Sequence, residues 1–222
     1  IQVLLPIFLG FIITHAFLIV YGLGAHIEFL PQLIPATLEE TRSLAGELGW
    51  AHVAALMLLA YSQGGGTYTG LEAVSNNVNV LAEPRVRTGK ITMLYMALSL
   101  AFTAGGIILL YLLWDARPVE GQTLNAVVFG DIIAHLGWDP WLTKAALWTV
   151  LALEGGLLFV AANTGFLGGP AVLSNMAGDS WVPHKFRYLS TRLVTENGIL
   201  VMGVAALGIL IWTGGSVSLL VI

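Results

Sequence analysis

Cysteine is absent from the 222 residues, which excludes disulfides, thiolate metal sites and thiol nucleophiles. Charge is scarce as well: 9 Lys and Arg with 13 Asp and Glu make up 10% of the chain, against 57% hydrophobic residues. Soluble domains carry about 25% charged residues, so this chain is too apolar for one, and no nucleic-acid partner is expected. Enzyme signatures are missing too. There is no H-E-x-x-H for an intramembrane metalloprotease and no G-x-S-G around a serine. Aspartyl chemistry within a membrane needs two apposed aspartates, and both acids at membrane depth are glutamates, Glu72 and Glu154. Gly65 to Gly70 has the spacing of a phosphate loop, but Leu71 and Glu72 follow where lysine and serine or threonine belong. An acid there would repel phosphate.

What the chain has is long apolar runs. Five reach transmembrane length, at about 20 residues per crossing: roughly 3–23, 51–79, 91–114, 142–176 and 198–212, with another starting at 217. This predicts an all-α, polytopic membrane helix bundle whose partner is the lipid bilayer. Because the chain opens on Ile1 and closes within an apolar run, it reads as an internal piece of a longer transport domain.

Orientation follows Lys and Arg rather than net charge. Loops 80–90 and 177–197 hold Arg85, Arg87, Lys90, Lys185, Arg187 and Arg192; loops 24–50 and 115–144 hold only Arg42, Arg117 and Lys144. The first pair is therefore expected in the cytoplasm. Trp50, Trp114, Trp138, Trp141 and Trp212 then gather near the outer boundary, as an aromatic belt does. In the first outer loop, Pro35 precedes Thr37 and Glu40 in a capping-box pattern, with Gly46 or Gly49 to end the helix. In the second, Leu124, Val127, Val128, Ile132 and Leu136 repeat at helical spacing before Gly137. Both helices are expected on the outer surface of the bundle. The inner segment from Trp181 to Tyr188 mixes aromatics with cations, as a membrane-surface anchor does.

The second span is the informative one. Gly64, Gly65 and Gly66 follow directly on its apolar half, and each glycine weakens a helix by about 1 kcal/mol relative to alanine. The helix is expected to break between about Gln63 and Gly70. Freed backbone at membrane depth survives only where it faces protein or a water-filled cavity. Beyond the break, Thr69, Glu72 and Asn76 share one helical face, with Ser75 beside them; Leu71, Val74, Val78 and Leu81 share another. Glu72 costs about 2.5–3.5 kcal/mol at the bilayer centre. It either handles an ion, proton or solute, or only satisfies the freed N–H groups; the two are compatible.

Glu154 is followed by Gly155 and Gly156, then by Asn163 and Thr164. These two can offer oxygens to a cation or make ordinary interhelical hydrogen bonds. Gly165 and Gly169 form a GxxxG, which usually serves close packing. His15, beside Thr14 midway along the first span, is a packing residue or a proton carrier. His52 falls near the outer interface and receives no role.

Gly66-Thr-Tyr-Thr-Gly-Leu-Glu-Ala-Val-Ser-Asn76, then Glu83-Pro84 and a basic loop, resembles the amino acid–polyamine–organocation (APC) transporters. The resemblance continues through Ala161-Ala-Asn-Thr-Gly-Phe166, Leu173 to Pro183, and Asn197-Gly-Ile199, and so covers essentially the whole chain. It is nearest the branch of KimA-type potassium importers and bacterial amino acid permeases. The resemblance implies the fifth to ninth helices of a LeuT-like inverted-repeat fold, with the broken helix as the sixth. It implies solute contacts at Gly65, Gly66, Tyr68, Thr69, Glu72 and Asn76, with Asn163 and Thr164 alongside and a monovalent cation at Thr69 and Glu72. Proton coupling falls to Glu72, Glu154 or His15. Relatives can use a lysine on the fifth helix in place of sodium, and the first span here has none.

The expected function is thus a secondary active symporter of potassium or an amino acid, working by alternating access in a bacterial inner (cell) membrane. No cofactor is implied. The coupling ion is expected to be the proton, with sodium left open, and a homodimer is one option for assembly. A non-transporting receptor or assembly subunit is the alternative class. Single cysteines replacing Arg87 and Arg117 in the full-length protein should label from opposite sides of the membrane; labelling of both from outside intact cells would overturn this topology.

Overall fold

The computed structural model describes residues 4–64, 74, 78, 81–191 and 194–216. Among them there is no strand. The helices are α1 (Leu4–Ala25), α2 (Leu30–Leu48), α3 (Trp50–Gly64), α4 (Arg85–Leu113), α5 (Leu124–His135), α6 (Pro140–Gly178) and α7 (Glu196–Thr213), with 3-10 turns at Ile27–Phe29 and His184–Phe186. The chain divides into two compact units, Ile1–Leu157 and Leu158–Ile222, and the division falls within α6.

Four helices, α1, α4, α6 and α7, are long and apolar enough to cross a bilayer, and the bent pair around α2 and α3 can supply a fifth crossing. The 22 residues of α1 rise about 33 Å, which matches a hydrocarbon core of about 30 Å. At 39 residues, α6 exceeds what one crossing needs. Side chains such as Ile13, Val20, Leu58, Trp148 and Ile211 point outward, the reverse of a water-facing surface and the arrangement that lipid favours. The chain is a multi-pass integral membrane protein.

Local chemistry sets the ends of these helices. Thr123 caps α5, its hydroxyl accepting the Ala126 N–H. Glu83 accepts the Arg85 N–H at the start of α4, at 3.2 Å, relieving one of the orphan donors every helix start carries. Gly49, at φ 84°, turns the chain between α2 and α3, which meet at 120°; a side chain would strain that left-handed position.

Two expectations for the outer loops need correction. The first helix does not start at the capping box: α2 begins at Leu30, with Pro31 in its first turn and Pro35 inside it. Proline at the first positions of a helix costs no hydrogen bond, so Pro31 makes the better start. Thr37 is interior, and its carbonyl accepts from the Thr41 hydroxyl. The helix does end at Gly49, as one of the two options foresaw. The second helix, α5, does not lie on the surface. Its Val128, Phe129, Ile132 and Ile133 are buried and join Leu18, Ile19, Leu110 and Val150 in the core of the first unit. The sequence shows an apolar stripe on α5, and the stripe faces protein.

Within that unit α1 is the central element, and glycines let its neighbours approach. A β-carbon on Gly106 of α4 would lie 2.6 Å from Ile19, and one on Gly22 of α1 would lie 2.6 Å from Leu110. The second unit has its own close approach, where a β-carbon on Gly169 would meet Met202 of α7 at 2.8 Å. Gly165, the other half of the GxxxG, has open space. Overpacking a core typically costs about 1–3 kcal/mol, so Gly106→Ala should destabilise the protein by that amount. Gly165→Ala should cost less than about 0.5 kcal/mol on this packing ground. Unfolding of the purified variants in detergent micelles measures both.

Candidate functional site

His15 lies midway along α1 and is fully buried. Its ring stacks on Phe11 at 3.8 Å and takes the edge-on face of Phe129 at 5.1 Å. Phe11 is one turn earlier on the same helix, so sequence spacing alone makes that contact. Nδ1 sits 2.9 Å from the Phe11 carbonyl oxygen, an acceptor only, which assigns a proton to Nδ1. The Thr14 hydroxyl donates to the Gly10 carbonyl at 2.8 Å and lies 3.4 Å from the same Nδ1.

The other ring nitrogen, Nε2, meets Glu154 Oε1 at 3.0 Å. Glu154 belongs to α6, 139 residues away in sequence, and its side chain is 16% exposed. Glycines bring the two helices together: a β-carbon on Gly10 would lie 2.9 Å from Leu153, and one on Gly156 would lie 3.0 Å from Ile7. Asn125, in the first turn of α5, donates from Nδ2 to the same Oε1 at 2.7 Å. Its Oδ1 accepts from the hydroxyl of Tyr111, near the end of α4. One polar side chain from each of four helices, α1, α4, α5 and α6, thus closes a single hydrogen-bonded chain. No buried side-chain nitrogen or oxygen is left unpartnered among the described residues.

Such an arrangement can hold a proton or present carboxylate and amide oxygens, and it makes an acid tolerable at membrane depth. His15 and Glu154, candidates drawn from separate spans, are brought into contact. Asn125 and Tyr111 were missed by sequence reasoning. Asn125 is an amide in the first turn of a largely apolar helix and Tyr111 a hydroxyl among leucines, which marks both as residues needing a partner, but neither spacing says which.

The remaining candidates fall elsewhere. Gly65, Gly66, Tyr68, Thr69, Glu72 and Asn76, and with them the expected helix break, lie outside the described residues, α3 being described as far as Gly64. In the second unit, Asn163 Nδ2 donates to the Phe159 carbonyl at 3.0 Å and the Thr164 hydroxyl to the Val160 carbonyl at 3.3 Å. Both side chains are exposed and bond to carbonyls of their own helix. No group of three or more His, Asp or Glu that could hold a metal occurs among the described residues.

Past the end of α1 a second cluster forms. His26 stacks on Trp114 at 4.1 Å, Trp114 donates from Nε1 to the Gly22 carbonyl at 3.1 Å, and the Tyr21 hydroxyl meets His135 Nδ1 at 3.0 Å. These contacts lock the loop after α1 to the ends of α4 and α5.

Among curated proteins, the chain is similar to the potassium transporter KimA of Bacillus subtilis (strain 168), at 28% identity over 166 residues, or 75% of the chain. The aligned stretch spans only 26% of that relative's length. No family model matches the chain, and no solved structure does.

Removing the hydroxyl of Tyr111 deletes one donor and leaves Asn125 its bond to Glu154. Tyr111→Phe should therefore cost about 0.5–1.5 kcal/mol, the net value of one hydrogen bond. Asn125→Leu strips a donor from Glu154 and the acceptor from Tyr111, and should cost more, about 1–3 kcal/mol for each group left unpaired. Denaturant titration of the two purified variants ranks them.

Proposed function

We propose that this chain is part of a secondary active transporter of the APC type, a proton-coupled symporter that imports potassium by alternating access. It acts as a carrier, not an enzyme, in the cell membrane of a bacterium. The observation that carries the reading is the similarity to a potassium transporter along three quarters of the chain. An apolar helix bundle with an acid buried at membrane depth supports it, because intramembrane ionisable residues mark ion pathways and proton relays.

In this reading the fold is LeuT-like and the span through 51–79 is its discontinuous sixth helix. The solute sits near the bilayer midplane against Gly65, Gly66, Tyr68, Thr69, Glu72 and Asn76, with Asn163 and Thr164 lining the path. Glu72 and Thr69 supply oxygens to the potassium ion, and oxygen donors suit such a hard cation. Half-helix ends and unwound backbone near the midplane form sites of this kind in transporters with inverted repeats.

Reconstitution of the full-length protein tests the proposal, with potassium and an amino acid mixture offered separately. Potassium uptake driven by an inward proton gradient is expected. Glu72→Gln should insert and fold yet lose that uptake, whereas Thr69→Val should weaken potassium affinity more than it alters pH dependence. Uptake of amino acids without potassium would replace the substrate, and normal potassium uptake by Glu72→Gln with an unchanged pH profile would remove Glu72 from the site.

A further inference from the structure

The polarity of the hydrogen bonds around His15 counts protons. Nδ1 faces a backbone carbonyl and must donate. Nε2 faces a carboxylate oxygen at 3.0 Å, and a hydrogen bond between them needs one proton, on the ring or on the carboxyl. Asn125 Nδ2 cannot accept and only donates to that oxygen, so it supports either placement. The whole unit, imidazole plus carboxyl, is then electrically neutral, which suits an element between apolar helices.

We infer that the His15–Glu154 contact is a proton-binding site in which one exchangeable proton is shared between Nε2 and Oε1, and that its release parts α1 from α6 or flips the ring's partners. Without that proton the unit carries one negative charge. Neutral His15 then offers a lone pair to the carboxylate if Nδ1 keeps its hydrogen. If the hydrogen moves to Nε2, the lone pair faces the Phe11 carbonyl instead. Thr14 stands ready in the second case: its hydroxyl, 3.4 Å from Nδ1, can turn from the Gly10 carbonyl to donate to the ring. Each outcome loses a contact that the protonated form makes. The departing proton leaves from the Glu154 side of the pair, where the side chain is 16% exposed, because the ring itself has no exposed surface.

Few other groups bear on the site. From the helices packed on the pair, α4 presents the Tyr111 phenol, α5 the neutral amide of Asn125 and α1 the hydroxyl of Thr14. Arg85, Arg87 and Lys90 of α4, Asp131 and His135 of α5 and Lys144 of α6 make none of the side-chain hydrogen bonds to the pair. The proton site is thus a two-residue unit. Its use in transport rests on the symporter reading above, while its existence does not.

The test uses the full-length protein in bilayers with 15N-labelled histidine. Solid-state NMR over a series of pH values reads the state of both ring nitrogens of His15. The expected result is a single transition in which Nε2 or Nδ1 loses its hydrogen and the coupling to Glu154 or to Phe11 disappears. Glu154→Gln, whose amide can donate to a neutral ring, should abolish the transition. A ring that stays unchanged across the range in the unmodified protein overturns the inference and needs no variant to fold. In proteoliposomes, proton entry accompanying potassium should be lost in Glu154→Gln; its persistence would exclude the pair from coupling. If the unmodified protein moves no solute, the symporter reading fails and the NMR result alone decides the site.

Discussion

A carboxylate among apolar helices has to be neutralised and hydrogen-bonded, and the packing of the first unit follows from how Glu154 meets that demand. Leaving an acid at the bilayer centre costs about 2.5–3.5 kcal/mol on insertion scales. Oε1 receives His15 from α1 and Asn125 from α5, and Asn125 in turn holds Tyr111 of α4. Helices in lipid have little hydrophobic reason to associate, so polar side chains and small residues take over that role. This unit uses both: the network in its middle, and glycines at positions 10, 22, 106 and 156 where backbones close up around it.

The short helix α5 gains its meaning here. At 12 residues it rises about 18 Å, too little to cross a bilayer. It nevertheless supplies more fully buried side chains to the core than any other helix of that unit. Its first turn carries Asn125 to Glu154, and its last turn carries His135 to Tyr21 and to the edge of Trp114. A segment between two spans is therefore fastened at both ends.

The membrane class and the helical content were legible because hydropathy over about 20 residues is a strong signal. A helix end was legible where glycine fixes it, as at Gly49. The start of α2 was not, since Thr37 and Glu40 satisfy a capping pattern that Pro31 pre-empts six residues earlier. Burial of α5 was hidden because an apolar stripe says that a face is covered, not what covers it. His15 and Glu154 each stood out as ionisable groups within apolar runs, yet no local pattern joins residues 139 apart. Asn125 and Tyr111 stayed invisible for the same reason, and because neither is charged.

A double-mutant cycle between His15 and Glu154 tests the central claim most directly. Unfolding free energies of His15→Phe, Glu154→Leu and the double variant would be measured in the same micelles. Removing one partner of a buried pair is expected to cost about 3–5 kcal/mol. If the contact organises the unit, the double variant is less destabilised than the sum of the single ones, with a coupling of about 1–3 kcal/mol. Single costs that add to within about 0.5 kcal/mol would mean that the two side chains do not sense each other, and the account would be contradicted.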